Sequence, residues 1–204
     1  MLYIFEDADK IDDDIPESMI SLLSGDRCAK MRRLRSSLSK KASVAAYLLL
    51  RVALVEIYSI DEAVEFEYAE KGKPLLKDYP DIHFSLSHSK STVACAVSDV
   101  EVGVDVQNIS PISDRLAKRV LTEFEYARFK ESPAPDEYFC EIWTIKESYL
   151  KKTGQGIRFD LRELSADSVS DRTVYRGEDY FCCVTGSDTQ VRVVGREEFE
   201  RLHK

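Results

Sequence analysis

The chain has 204 residues, 44% hydrophobic and 32% charged, enough apolar material for one large domain or two small ones fused and too much for global disorder. A net charge of −8, from 29 basic and 37 acidic residues, argues against a general nucleic-acid binder. No signal peptide or membrane span is expected from its short apolar runs, and five cysteines without a C-x-x-C pair point to a reduced, cytoplasmic protein.

In chain order, Leu2–Phe5 reads as a strand, followed by an acidic loop to Glu17. Asp26–Ser37 reads as a basic helix. Residues 27–41 contain Arg27, Lys30, Arg32, Arg33, Arg35, Lys40 and Lys41 and no acid, so this window carries +7 and the rest of the chain −15. Such a run is either a solvated helix face or a local site for phosphates or an acidic partner. Lys40–Ile57 places Val44, Leu48, Val52 and Val55 at helical spacing and predicts a core helix. Glu65–Tyr68 is a short strand candidate, broken by Gly72-Lys-Pro74, with a second turn at Tyr79-Pro-Asp81.

From His83 the texture changes. His83–Ser87 alternates, Thr92–Ser98 is a strand of small residues, and Val102–Val106 is another. Helices are expected near Ser113–Leu121 and Glu123–Phe129. After Ser132-Pro-Ala-Pro135, Asp136 suits the cap of a helix running to Thr153, and Gly154 suits its left-handed end. Tyr180–Val184, a turn at Gly186–Asp188 and Val191–Val194 predict a hairpin echoing the one expected from Val93–Val97 and Val102–Val106. The echo suggests an α+β duplication with halves 1–100 and 101–204. Two unrelated hairpins in one α+β domain is the alternative.

Three segments can carry chemistry. On a strand, Asp105 and Gln107 share a face with Gly103, while Val102, Val104 and Val106 take the other. An acid and an amide so placed can offer oxygens to one hard cation. In the helix, Trp143, Glu147 and Lys151 fall on one stripe at i, i+4 and i+8, where Glu147 and Lys151 form either a plain ion pair or part of a site. Phe84-Ser-Leu-Ser-His-Ser89 puts Ser87 and His88 at a strand end, where His88 is either a plain surface histidine or a group suited to a phosphate or to proton transfer. A nucleophilic triad fits poorly, since no G-x-S-x-G elbow surrounds either serine.

Together these segments resemble the Sfp-type 4′-phosphopantetheinyl transferases. The likeness spans residues 27–165 and is carried by Gly72-Lys-Pro74 through Phe84–Ser89, by Gly103–Gln107, and by Trp143–Lys151 with Gly154-Gln-Gly156. The resemblance implies a pseudo-dimer of two similar α+β halves, with coenzyme A and magnesium (Mg2+) at their interface. It implies transfer of the phosphopantetheine arm of coenzyme A to a serine of an apo acyl or peptidyl carrier protein, with release of adenosine 3′,5′-bisphosphate. By the same resemblance the metal ligands are Asp105, Gln107 and Glu147. Lys151 meets the pyrophosphate and joins Asp105 and Glu147 as the catalytic set. Coenzyme contacts fall on Lys73, Ser87, His88, Arg27, Lys30 and Ser43, and Glu125 aligns with a further acid. Gln107 departs from the pattern, since many members have a glutamate there, and Lys90 replaces a common glycine. The implied protein is a monomer that binds neither nucleic acid nor membrane. The competing readings are a non-catalytic coenzyme- or carrier-binding relative and another magnesium-dependent phosphoryl-type transferase. The latter finds no G-x-x-x-x-G-K-[ST] loop or kinase signature in the chain.

Overall fold

Two helices organise the fold, each laid on its own sheet. The computed structural model describes residues 1–156, 159–187 and 189–201. Its first part contains β1 (Leu2–Phe5), α1 (Glu17–Ile20), α2 (Gly25–Arg33), α3 (Ser37–Tyr58), β2 (Phe66–Tyr68), β3 (Pro74–Leu76), β4 (His83–Ser89) and β5 (Thr92–Ser98). Then come β6 (Gly103–Asn108), α4 (Asp114–Val120), α5 (Glu123–Glu131), α6 (Pro135–Thr153), β7 (Arg172–Arg176), β8 (Tyr180–Thr185), β9 (Val191–Val193) and α7 (Arg196–Arg201).

The basic stretch expected to run as one helix to Ser37 breaks after Arg33, because Ser36 turns extended and its side chain accepts the Ser39 N–H to start α3. The apolar stripe of α3 is buried from Val44 to Val52, with Leu48, Leu49, Leu50, Ala53 and Leu54 fully inaccessible, whereas Val55, expected on the same stripe, is exposed near the helix end. It packs on β1, β4 and β5, which pair antiparallel in the order β4-β5-β1. In the second part α6 packs on β6 and β8, in an antiparallel sheet ordered β7-β8-β6. Strand, helix, strand, strand therefore occurs twice with the same pairing, β1-α3-β4-β5 and β6-α6-β7-β8. This is the α+β class expected, in a form consistent with a pseudo-dimer. A third apolar cluster, from Leu2, Ile4, Ala94, Ala96, Val102, Val104, Val106, Tyr180, Cys182 and Val184, joins the two sheets.

Neither expected hairpin forms. β5 pairs with β4 and β1, whereas β6 pairs with β8, so the chain leaves the first sheet after β5 to start the second. After β8 it leaves again, and β9 adds parallel to the open edge of β1. Gly186 makes that departure possible. Its φ of +115° lies in the glycine region, and its bare α-carbon packs against the Glu101 carbonyl. Asp188, expected to close this turn, lies outside the described residues. α7 then lays Phe199 on Phe5, with ring centroids 4.1 Å apart, so residues 191–201 complete the first core.

Asp136 is not the cap of α6. It sits inside the first turn, where its carboxylate accepts the Ile112 N–H at 2.9 Å. Gly154 ends the helix in the left-handed conformation, as expected. All five cysteines are free, and no helix among the described residues is long and apolar enough to cross a membrane.

Candidate active site

The site forms where β6, an edge strand of the second sheet, lies between α6 and β4. Alternation on β6 gives each face its task. Val102, Val104 and Val106 enter the inter-sheet core, while Gly103, Asp105 and Gln107 face α6. Gly103 brings strand and helix together, because a Cβ there would fall 2.0 Å from the Ser148 carbonyl oxygen and 2.3 Å from the Lys152 nitrogen. Cys140 fastens the far end through a 3.1 Å contact from its thiol to the Gln107 carbonyl.

An edge strand leaves every second N–H without a ladder partner. Here β4 supplies the partners from side chains. Ser85, Ser87 and Ser89 accept the N–H groups of Val104 (3.0 Å), Val106 (3.3 Å) and Asn108 (3.1 Å). The period-two serines of Phe84–Ser89 thus stitch the two sheets.

Asp105 is buried at this seam. Its Oδ1 takes the Lys151 ammonium at 2.7 Å and the Ser87 hydroxyl at 2.8 Å, and Lys151 also donates to Ser87 at 2.8 Å. Its Oδ2 is buried with no partner. Glu147, one helical turn before Lys151, stands near enough to feel that charge. Burial, and then Asp105, raises the Glu147 carboxyl above the ordinary value, while Lys151 opposes the rise. Two acids, one with an unsatisfied buried oxygen and one pushed toward protonation, are the donor set that a hard divalent cation would satisfy. No group of three His, Cys, Asp or Glu side chains able to hold a metal occurs among the described residues. The Gln107 amide lies on the same strand face as Asp105.

Glu147 borders two clefts. The first, about 330 Å³, runs between the two parts of the chain and is walled by Lys73, Phe84, Leu86, Lys151 and Gly154. The second, about 470 Å³, is lined by Leu116, Arg119, Trp143, Phe159 and Arg162. Trp143 walls a cleft one turn before Glu147.

The basic window divides on folding. Arg32, Arg33 and Arg35 are exposed, whereas Arg27 is buried. Among the described residues Arg27 has no carboxylate partner. It donates to the Ser43 hydroxyl (3.2 Å) and carbonyl (3.3 Å), lies over the Phe66 and Tyr47 rings, and keeps Nε unbonded. Burial, and then Arg27, lowers the pKa of Lys30, with Asp26 opposing. His88, near the end of β4, is exposed yet has protein packed around its ring. Burial, then Lys151 and Lys30, depresses it, with Asp105 opposing. Arg27, Lys30, His88 and Lys151 are thus a chain of neighbouring basic groups, with the imidazole held toward its neutral form. Lys73 stands apart, joining the two parts of the chain through Glu101 and the Lys152 carbonyl (2.6 Å).

Glu125 is turned away from this centre. It closes a capping box with Thr122, accepts the Ala166 N–H at 2.8 Å, and meets the fully buried Lys146 ammonium at 2.5 Å. Lys146 also donates to the Val120 and Leu161 carbonyls. This pair fixes the wall of the second cleft. The signals in the sequence were the T-x-x-E box and a lysine on an otherwise apolar helix face.

A family model described as the 4′-phosphopantetheinyl transferase superfamily matches residues 101–197. The chain is 32% identical over 152 residues to the 4′-phosphopantetheinyl transferase Sfp of Bacillus subtilis (strain 168), covering 73% of this chain and 68% of that one. It is 33% identical over 153 residues to the 4′-phosphopantetheinyl transferase psf-1 of Bacillus pumilus, covering 74% and 66%. Against HetI of Nostoc sp. (strain PCC 7120 / SAG 25.82 / UTEX 2576), also a 4′-phosphopantetheinyl transferase, identity is 34% over 157 residues, covering 71% and 66%. The chain thus spans about two thirds of the length of these relatives. The matched stretch includes Asp105, Glu147 and Lys151, and the chain belongs to the Sfp-type 4′-phosphopantetheinyl transferases.

Proposed function

We propose that this protein moves the 4′-phosphopantetheine arm of coenzyme A onto a serine of an apo acyl or peptidyl carrier protein, releasing adenosine 3′,5′-bisphosphate. The observation that supports this most is the Asp105 carboxylate, which has one oxygen committed to Lys151 and Ser87 and the other buried without a partner, beside the raised carboxyl of Glu147. Asp105, Glu147 and the Gln107 amide would hold a magnesium ion between protein and coenzyme phosphates. When bound, that ion offsets the charge that builds on the departing phosphate.

The chain's own groups do the rest. Lys151, held by Asp105 and Ser87, presents a fixed ammonium to the pyrophosphate. Glu147 accepts the proton of the carrier serine, directly or through water, and its raised pKa brings it closer to the working range of a base. Its place between two clefts lets coenzyme approach from one side and the carrier serine from the other. Arg27, Lys30 and His88 grip the coenzyme phosphates, and an anion supplies the counter-charge that Arg27 lacks. Ser43 orients Arg27, and Lys73 borders the coenzyme cleft. In this reading the halves 1–100 and 101–204 descend from one unit, and the protein works as a cytoplasmic monomer.

The test is direct. Incubation with coenzyme A, magnesium and an apo carrier protein should add the mass of one phosphopantetheine arm to the carrier. No gain with any of several acyl and peptidyl carriers would overturn the proposal, and coenzyme binding without transfer would favour a non-catalytic relative.

A further inference from the structure

Beneath the site, on the side away from both clefts, two hydroxyls meet in the dry seam between α6 and its sheet. Cys183 and Thr185 share the face of β8 that packs on α6, and across the ladder they stand opposite Asp105 and Gly103. Ser148, the residue after Glu147, reaches between them. Its hydroxyl lies 2.7 Å from the Thr185 hydroxyl and 3.3 Å from the Cys183 sulfur, and donates to the Ile145 carbonyl at 2.8 Å. Serine has a single proton. With that proton on Ile145, Thr185 is the donor of the bond between the hydroxyls. Neither residue has any exposed surface, so no ligand competes for this bond.

We infer that Thr185 is a positioning residue for Glu147, acting through its hydrogen bond to Ser148. Apolar packing keeps a helix from lifting off a sheet but is not directional, whereas a hydrogen bond fixes both distance and angle. The bond is therefore what sets how far α6 stands along β8. Asp105 is held opposite Cys183 by the β6–β8 ladder, one rung from Thr185, so any slide of α6 passes directly into the separation of Glu147 from Asp105. The inference rests on the transferase reading, because it needs Glu147 to act on substrate. Thr144, one turn earlier on α6 and equally buried, bonds to the Glu141 carbonyl of its own helix and serves as the internal control.

The experiment separates the hydroxyl from the methyl of Thr185. Thr185→Val keeps the shape and loses the hydroxyl, and Ser148 retains its bond to Ile145. Thr185→Ser keeps the hydroxyl and loses a methyl, so a role in stability alone would make the Ser variant the worse of the two. Melting temperature, kcat and the KM for coenzyme A are measured for each, with magnesium and a saturating apo carrier protein. Because misplacement by about 1 Å costs on the order of 100-fold, Thr185→Val should lower kcat by about tenfold or more. Its KM for coenzyme A should stay within about twofold. Thr185→Ser should restore kcat whatever its melting temperature, and Thr144→Val should leave kcat unchanged. If Thr185→Val does not fold, Ser148→Ala removes the same bond from the other side, and the same loss of kcat is expected of it. Wild-type kcat in the folded Val or Ala variant would overturn the inference, and so would a loss of kcat that Thr185→Ser shares. A wild-type chain that transfers to no carrier would bring down the transferase reading instead. Positioning is then read from the emission of Trp143, the chain's single tryptophan, which rides on α6. That emission should shift in Thr185→Val and not in Thr185→Ser, and an unshifted Val spectrum would overturn the inference.

Discussion

Gly103→Ala tests how the site is held together. The added Cβ would lie 2.0 Å from a backbone oxygen of α6, where ordinary contact begins at 3.4 Å. Strand and helix must therefore separate by roughly 1.4 Å, since both obstacles are main chain and neither can rotate aside. Overpacking of this kind costs typically 1–3 kcal/mol. For a chain of this length that corresponds to a fall in Tm of roughly 2–12 °C. The larger effect should be on chemistry. Glu147 and Lys151 ride on α6 and Asp105 on β6, so the shift enters the 2.7 Å Lys151–Asp105 contact and the approach of the two acids. Misplacement by about 1 Å costs on the order of 100-fold in rate. Transfer measured by carrier mass, at a temperature where circular dichroism shows both proteins folded, should fall by about that factor. Wild-type stability together with a wild-type rate would refute the claim that close approach of β6 and α6 sets the site.

Three further outcomes follow from the same geometry. Lys146→Ala strips the partner from the buried Glu125 carboxylate and should destabilise by about 3–5 kcal/mol in urea unfolding; a change under 1 kcal/mol would mean that the pair is not as closed to water as it stands here. Phe199→Ala removes a fully buried ring stacked on Phe5 and should cost about 3–5 kcal/mol, with loss of first-sheet protection in hydrogen exchange, although the residue lies near the chain's end. His88 has its pKa depressed below 6.5, so its neutral form belongs to the fold. Its contribution to stability is present above 6.5 and lost as pH falls through the depressed folded value. In an NMR titration the free protein should show a His88 midpoint below 6.5, moving up when coenzyme A is added, because a phosphate favours the charged ring; no movement would place His88 away from the phosphates.

Local signals in the sequence carried the elements that depend on local chemistry. Leu2–Phe5, Thr92–Ser98, the apolar stripe of α3 up to Val52 and the left-handed Gly154 all stand as expected, and so does the division of Asp105 and Gln107 from the three valines. Pairing was hidden. A strand's periodicity tells which face is buried but not which neighbour it joins, so Val191–Val193 read as the partner of nearby β8 when its partner is β1, almost the whole chain away. β3, β7 and α7 are short or polar and carry little periodic signal of their own. The basic window could not be resolved from charge alone either. Arg27 and Arg32 look alike in sequence, and only packing against Tyr47 and Phe66 sets the buried one apart. The serines of Phe84–Ser89 were visible as an alternating run, but their role as stand-ins for a missing strand ladder depends on β6 arriving alongside.

The central claim is that Asp105 and Glu147 form a metal-dependent transfer site. The most direct measurement is intact mass of an apo carrier protein after incubation with coenzyme A. A gain of one phosphopantetheine arm is expected with magnesium, and none with excess chelator or with folded Asp105→Ala or Glu147→Ala. Transfer that persists at the wild-type rate in either folded variant would contradict it.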